Sequence, residues 1–150
     1  MNTAVQDEVE RWFFDDYLPT WIGVGSGAIT RGPDFILDYW GAPLHWSDDE
    51  GSRCIPDSAA VVAQLAELQH RLRANGYADT AVPDRRVLAY HRNGAAIEVI
   101  WSRRRGDGSE IERLAVHFEL ARGPQGWRVV SIQATPTWSE TLDGVWPQHH

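Results

Sequence analysis

Asp48 and Tyr17 are the residues best placed by type and spacing to do chemistry. Residues Leu44 to Asp48 alternate in the manner of a strand, so Leu44, Trp46 and Asp48 share one face and His45 and Ser47 the other. A carboxylate among aromatic rings loses hydration of its charged form. Its pKa then rises toward neutrality, where a general base is most effective. Tyr17 follows Phe13 by one helical turn, and a phenol there could enter a cavity and donate to a substrate oxygen. Each residue also has a plainer reading. Asp48-Asp49-Glu50-Gly51 has the composition of an exposed acidic turn, and Tyr17 could be a core tyrosine.

Other chemistries find less to work with. All 14 basic residues are arginine, so a mechanism that needs a lysine Schiff base has no residue to use. His45, Asp48 and Asp49 do not match a metal-ligand spacing, and no zinc cluster stands out. Gly23 to Gly27 lacks the lysine and the preceding strand of a phosphate loop, and no serine nucleophile elbow occurs. No cofactor is expected. Asp15 and Asp16 read as solvated, and of Tyr90 and His91, which alternate on a strand, only one could enter a cavity. Arg103 to Arg105 reads as a solvated hairpin tip.

A net charge of −7 argues against a general nucleic-acid binder. No apolar run approaches the roughly 18 residues of a membrane span, so a cytoplasmic protein without a membrane partner is expected. Cys54 is alone, which excludes an intrachain disulfide. The eight tryptophans suit either a thick core or an aromatic-walled ligand cavity.

The elements that must position these residues are legible in turn. The length and 43% hydrophobic content fit a single domain. Val5, Val9, Trp12 and Phe13 recur at helical spacing from about residue 3, and Pro19 should stop or kink that helix at Leu18, with Trp21 to Val24 as a possible continuation. Pro33 and Asp34 suit the start of a short second helix, carrying Phe35, Ile36, Tyr39 and Trp40 on its buried side and capped by Gly41. Asp57 or Ser58 caps a third helix with the stripe Val61, Val62, Leu65, Leu68 and Leu72, ended by Asn75-Gly76. From Val87 to Pro136 the turns at Asn93-Gly94, Arg105 to Gly108 and Gly123 to Gly126 separate four antiparallel strands. Their inward sets are Ile97, Val99 and Trp101; Leu114, Val116, Phe118 and Leu120; and Val130, Ile132 and Ala134. Ile100, Ala115 and Val129 remain outward, an apolar group suited to a homodimer contact. Residues 137 to 150 read as a lid over the cavity or a loose tail.

This order of helix, short helix, short strand, long helix and meander resembles the cone-shaped α+β barrels of the nuclear transport factor two superfamily, with their cystatin-like fold. That superfamily includes ketosteroid isomerase, scytalone dehydratase, limonene epoxide hydrolase and the SnoaL-like polyketide cyclases. The resemblance spans about residues 3 to 136 and is anchored on Phe35 to Asp48, Leu114 to Leu120 and Gly126 to Val130. It implies an α+β fold with three N-terminal helices packed on a curved, mainly antiparallel sheet. In it, Asp48 falls where ketosteroid isomerase-like proteins keep a proton-moving carboxylate; a one-residue shift would put Ser47 there. Val116 falls where those isomerases keep a protonated acid, and valine cannot donate a hydrogen bond. His117 should face outward.

Two functional expectations follow. One is a small cofactor-independent enzyme that cyclises, isomerises or dehydrates a hydrophobic oxygenated molecule. Asp48 would accept the proton, Tyr17 would donate a hydrogen bond, and Trp46, Trp40, Trp101, Phe13, Val116, Phe118 and Ile132 would form the wall. The other is a non-catalytic ligand-binding or dimeric interaction module with the same fold.

Overall fold

In the computed structural model, which describes residues 3 to 148, the chain begins as one continuous helical rod. It comprises α1 (Thr3–Arg11), a π-helical turn (Trp12–Tyr17) and α2 (Leu18–Ser26). The helix does not stop at Leu18 but continues through Trp21 to Val24. Pro19 follows closely on a π turn, and the backbone stays helical through Tyr17 and Leu18. The irregularity lies just upstream, where the Leu18 N–H bonds to the Phe13 carbonyl, one residue wider than an α turn. Gly27, at φ 86°, ends the rod in the left-handed conformation that glycine adopts without steric cost.

The second helix is a 3₁₀ turn, Pro33–Asp38, whose end is capped by Tyr39 rather than Gly41. Trp40 and Gly41 already belong to β1 (Trp40–Asp48), which pairs antiparallel with β2 (Gly51–Ile55) across the acidic turn. α3 (Ser58–Ala74) is capped by the Asp57 side chain, which accepts from the Ala60 N–H at 2.9 Å. Val61, Leu65 and Leu72 of its stripe are buried, and Gly76 takes a positive φ just beyond its end.

The meander is longer than its turns suggested. β3 (Tyr77–His91) begins ten residues before Val87 and is followed by β4 (Gly94–Arg105), β5 (Glu110–Gly123) and β6 (Gly126–Pro136). Six strands form one curved, unclosed sheet in the order β2-β1-β6-β5-β4-β3. Every pairing is antiparallel except β1 with β6. The helices cover its concave face, the arrangement expected of the α+β fold class.

The inward faces of β4 and β5 fall where alternation places them. In β6 the register shifts at Glu119/Leu120, where Ser131 pairs with Glu119 but Val129 with Leu120. Val130 is the extra residue of this bulge, so Val129 enters the core in its stead while Ile132 and Ala134 keep the inward face.

The outer face also departs from expectation. Residues 137 to 146 neither cover the cavity nor hang free: they turn back along the outside of the sheet. Leu142, fully buried, packs with Ile100 and Ala115, flanked by Val145 and Trp146. Polar contacts hold the segment there. The Leu142 N–H donates to Asp84 at 2.8 Å, and Arg86 reaches the Trp146 carbonyl at 3.2 Å and pairs with Asp143. Val129 lies in the core and Ile100 and Ala115 are covered within the chain, so the three residues that motivated a dimer face are all accounted for intramolecularly. Trp138 is the exposed large hydrophobic residue of this segment, at 93%.

If this strap is a docked part of the fold, removing its anchor opens a cavity against the sheet. Leu142→Ala should lower the unfolding free energy by about 2–4 kcal/mol in equilibrium urea titration. A variant as stable as the wild type would mean that the strap does not dock.

Candidate functional site: an aromatic cavity between rod and sheet

Why does the rod not fill the cone? Its aromatic residues meet the sheet at two separated places, and at the far one Trp21 packs edge-on to Tyr77 of β3 at 5.6 Å. Phe13, fully buried, packs edge-on to Phe118 at 5.0 Å between ring centroids and stacks on Trp101 at 6.0 Å. Tyr17 follows at 4.9 Å from Phe13 and 6.2 Å from Phe118. This wedge props the rod away from the inner faces of β1, β4, β5 and β6. Between them lies a cavity of about 530 Å³, within the range of small-molecule pockets.

Four of the eight tryptophans line it: Trp21, Trp40, Trp46 and Trp101. With Val116, Phe118 and Ile132 they make up an aromatic and aliphatic wall. Of the wall residues expected from sequence, only Phe13 is misplaced. It lies in the core behind Tyr17 and Phe118, because the π turn directs it into the sheet rather than the cavity.

Tyr17 lines the cavity, and its hydroxyl oxygen accepts from Trp40 Nε1 at 3.2 Å. The acceptor side is thereby engaged and the O–H remains to donate. Burial pushes the phenol well above its ordinary range, with the Trp40 hydrogen bond and the Arg103 charge opposing that only in part. Tyr17 is therefore a neutral donor, suited to a carbonyl or developing oxyanion and unsuited to act as a base.

Asp48 also lines the cavity, at its rim beside Asp49 and Glu50. Its carboxylate accepts from the Glu50 N–H at 2.9 Å and from Trp46 Nε1 at 3.2 Å. The alternation that places Asp48 with Trp46 is thus present, but its expected electrostatic consequence is reversed. The turn N–H of Glu50, then the Trp46 donor and nearby Arg53, outweigh partial burial and hold Asp48 below the usual carboxylate range. A carboxylate so stabilised is a weak base at neutral pH.

Arg71, Thr80, Arg103 and Glu112, which sequence reasoning left outside the site, also line it. Arg103 is only 8% exposed, and its Nη1 donates to Glu112 at 2.6 Å. Glu112 also accepts two bonds from Arg71, at 3.0 and 3.3 Å. The guanidinium of Arg103 lies 5.1 Å from the Trp21 ring centroid, in cation–π range. Desolvation alone would raise Glu112, but its hydrogen bonds with Arg71 and Arg103 and their charges prevail and leave its pKa lowered. The signal for these residues was the same alternation already used. Counting by two from Ile97, Val99 and Trp101 reaches Arg103, and counting back from Leu114 reaches Glu112. The two strands then bring Arg103 opposite Glu112. Only Arg104 and Arg105 turn toward the hairpin tip as the run of arginines suggested, each half-buried.

The remaining candidates lie elsewhere. Tyr90, half exposed, and His91 do not line the cavity, and Asp16 is spent on the Tyr39 hydroxyl at 2.8 Å. His117 faces outward as expected, between Glu98 at 2.8 Å and Glu119 at 3.2 Å. Among the described residues no group of three His, Cys, Asp or Glu side chains is placed to hold a metal, and no helix is long and apolar enough to cross a membrane.

A helical rod and α3 laid into a curved six-stranded sheet, with a cavity between them, define the cystatin-like class of α+β folds. The chain belongs to the family described as NTF2-like protein (DUF6841), whose model matches residues 7–137. Solved structures agree on the fold. An NTF2-like protein with a cystatin-like fold from Novosphingobium aromaticivorans is 18% identical, with a TM-score of 0.62 over 89% of this chain and 83% of that one. A protein of unknown function from the DUF3225 family of Pectobacterium atrosepticum is 16% identical, with a TM-score of 0.61 over 89% and 91%. A domain of unknown function with a cystatin-like fold from Nostoc punctiforme is 14% identical, with a TM-score of 0.60 over 94% and 82%. No curated protein matches the chain. At these identities the likeness concerns the fold alone.

The charged cluster makes stability depend on pH. A carboxylate held below its ordinary value stabilises the fold fully above the unfolded glutamate pKa of about 4.3, and loses that contribution as pH falls through the lower folded value. Urea titrations between neutral and acid pH should show wild-type stability decreasing below that point. Glu112→Gln should be less stable by about 2 kcal/mol at neutral pH, and this difference should shrink on acidification.

Proposed function

We propose that the cavity is a binding site for a hydrophobic small molecule bearing an oxygen function, with Tyr17 donating to that oxygen. The observation that carries this reading is the open space of about 530 Å³ walled by four tryptophans, with a neutral phenol at one side whose acceptor position is already engaged. A purely structural module would have no reason to leave such a space between its layers, since protein interiors otherwise pack to crystal-like density. Fold membership does not select among activities, because one fold hosts many.

A second reading has one observation in its favour: Asp48 and Tyr17, the expected acid/base pair, line the same cavity. On that reading a bound ligand loses a proton to Asp48 while Tyr17 stabilises the resulting oxyanion, as in isomerisation, cyclisation or dehydration. The lowered pKa of Asp48 makes binding the stronger of the two readings.

The lining tryptophans report both. Polycyclic and polyketide-like ketones titrated into the protein should quench its fluorescence, and Tyr17→Phe should weaken that binding about fivefold. Equal affinity in the variant would remove Tyr17 from the site. For any ligand that the wild type converts, Asp48→Asn should abolish conversion, and continued conversion would exclude Asp48 as the proton acceptor.

A further inference from the structure

The indole N–H groups of the four tryptophans that line the cavity are not used alike. Trp40 Nε1 donates to Tyr17 and Trp46 Nε1 to Asp48, whereas Trp21 Nε1 and Trp101 Nε1 have no hydrogen-bond partner among the described residues. The buried side-chain nitrogens and oxygens that lack a partner there are Gln69 Nε2 and Arg103 Nε, so the Trp101 N–H, on a residue only 4% exposed, is not sealed into the packing. It borders open space, and the open space that Trp101 lines is the cavity. Trp21 shares this state, but its ring packs on Tyr77 and carries the Arg103 guanidinium at the far contact. Trp101 belongs with Tyr17, because both rings pack against Phe13 and Phe118.

Tyr17 and Trp101 are thus neighbouring donors in the same condition. The Tyr17 oxygen accepts from Trp40, which leaves its O–H to give, and an indole nitrogen only donates. A donor set in an aromatic wall gains most from an acceptor oxygen, because an apolar group cannot replace the hydrogen bond that water would make. The charges of the lining select against an anion. Asp48, Asp49, Glu50 and Glu112 outnumber Arg71 and Arg103, and both arginines are committed to Glu112. We propose that Tyr17 and Trp101 form a donor pair and that the cavity takes a neutral apolar ligand with two carbonyl oxygens, one on each donor. This names the ligand class of the cavity proposed above and rests on that reading.

The experiment compares a fused bicyclic enedione of the methyl-octalin series with the enone that lacks its second carbonyl, both titrated by calorimetry. The enedione should bind about fivefold more tightly. Trp101→Phe keeps an aromatic ring against Phe13 but removes the N–H, and should bring the enedione down to the affinity of the enone. A loss shared equally by the two ligands would make Trp101 part of the wall alone and overturn the pair. Should that variant fold poorly, the wild type still decides through its indole N–H proton resonances: that of Trp101 should move downfield on saturation with the enedione and hold its position with the enone. Equal binding of the two ligands by the wild type, or a Trp101 resonance that the enedione does not move, would overturn the donor pair and leave the cavity reading standing. Binding of neither would overturn the cavity reading and the pair with it.

Discussion

The contact of Phe13 and Tyr17 with Phe118 and Trp101 is the constraint on which the rest of the molecule depends. Large rigid rings placed where a helix meets a curved sheet cannot collapse further, because aromatic pairs hold their centroids several ångströms apart. The rod is thereby fixed at one height above β4 and β5. Everything beyond the wedge must either fill the remaining gap or leave it open. Trp40 bonds to Tyr17, Trp46 bonds to Asp48, and the gap persists as a cavity with its wall fixed by hydrogen bonds.

The π turn is part of the same constraint. One extra residue in a helical turn rotates all that follows relative to what came before. It lets Phe13 point into the sheet and Tyr17 into the cavity on one continuous helix that runs on through Pro19. The two aromatic positions therefore have different roles, one structural and one facing the ligand space, although they belong to the same apolar stripe.

Polarity is distributed unevenly around the cavity. At the rim, carboxylates are solvated or stabilised by turn N–H groups, which keeps them ionised and poor at accepting protons. Across β6 from them, two arginines, Arg71 of α3 and Arg103 of β4, converge on Glu112 of β5. A low-dielectric wall strengthens the field of that second group far more than that of the first. The lining follows the chain's net charge of −7, with Asp48, Asp49, Glu50 and Glu112 against Arg71 and Arg103.

Much of this was readable from residue types alone. Period-two alternation assigns the faces of β4 and β5, places Asp48 beside Trp46, and would have reached Arg103 and Glu112 if followed to the strand ends. The capping aspartate and closing glycine delimit α3. Local rules failed where a distant partner decides. The bulge at Val130 lies where β6 pairs with β5 on one side and β1 on the other, and the burial of Ile100 and Ala115 depends on the strap residue Leu142, far downstream of both. The sign of the pKa shift at Asp48 depends on a turn N–H that no spacing reveals. The sequence by itself determined which side chains line each face, because alternation is a property of the chain. Only the tertiary structure decided which faces enclose space and which charges meet there, because those depend on how closely the rod can approach the sheet.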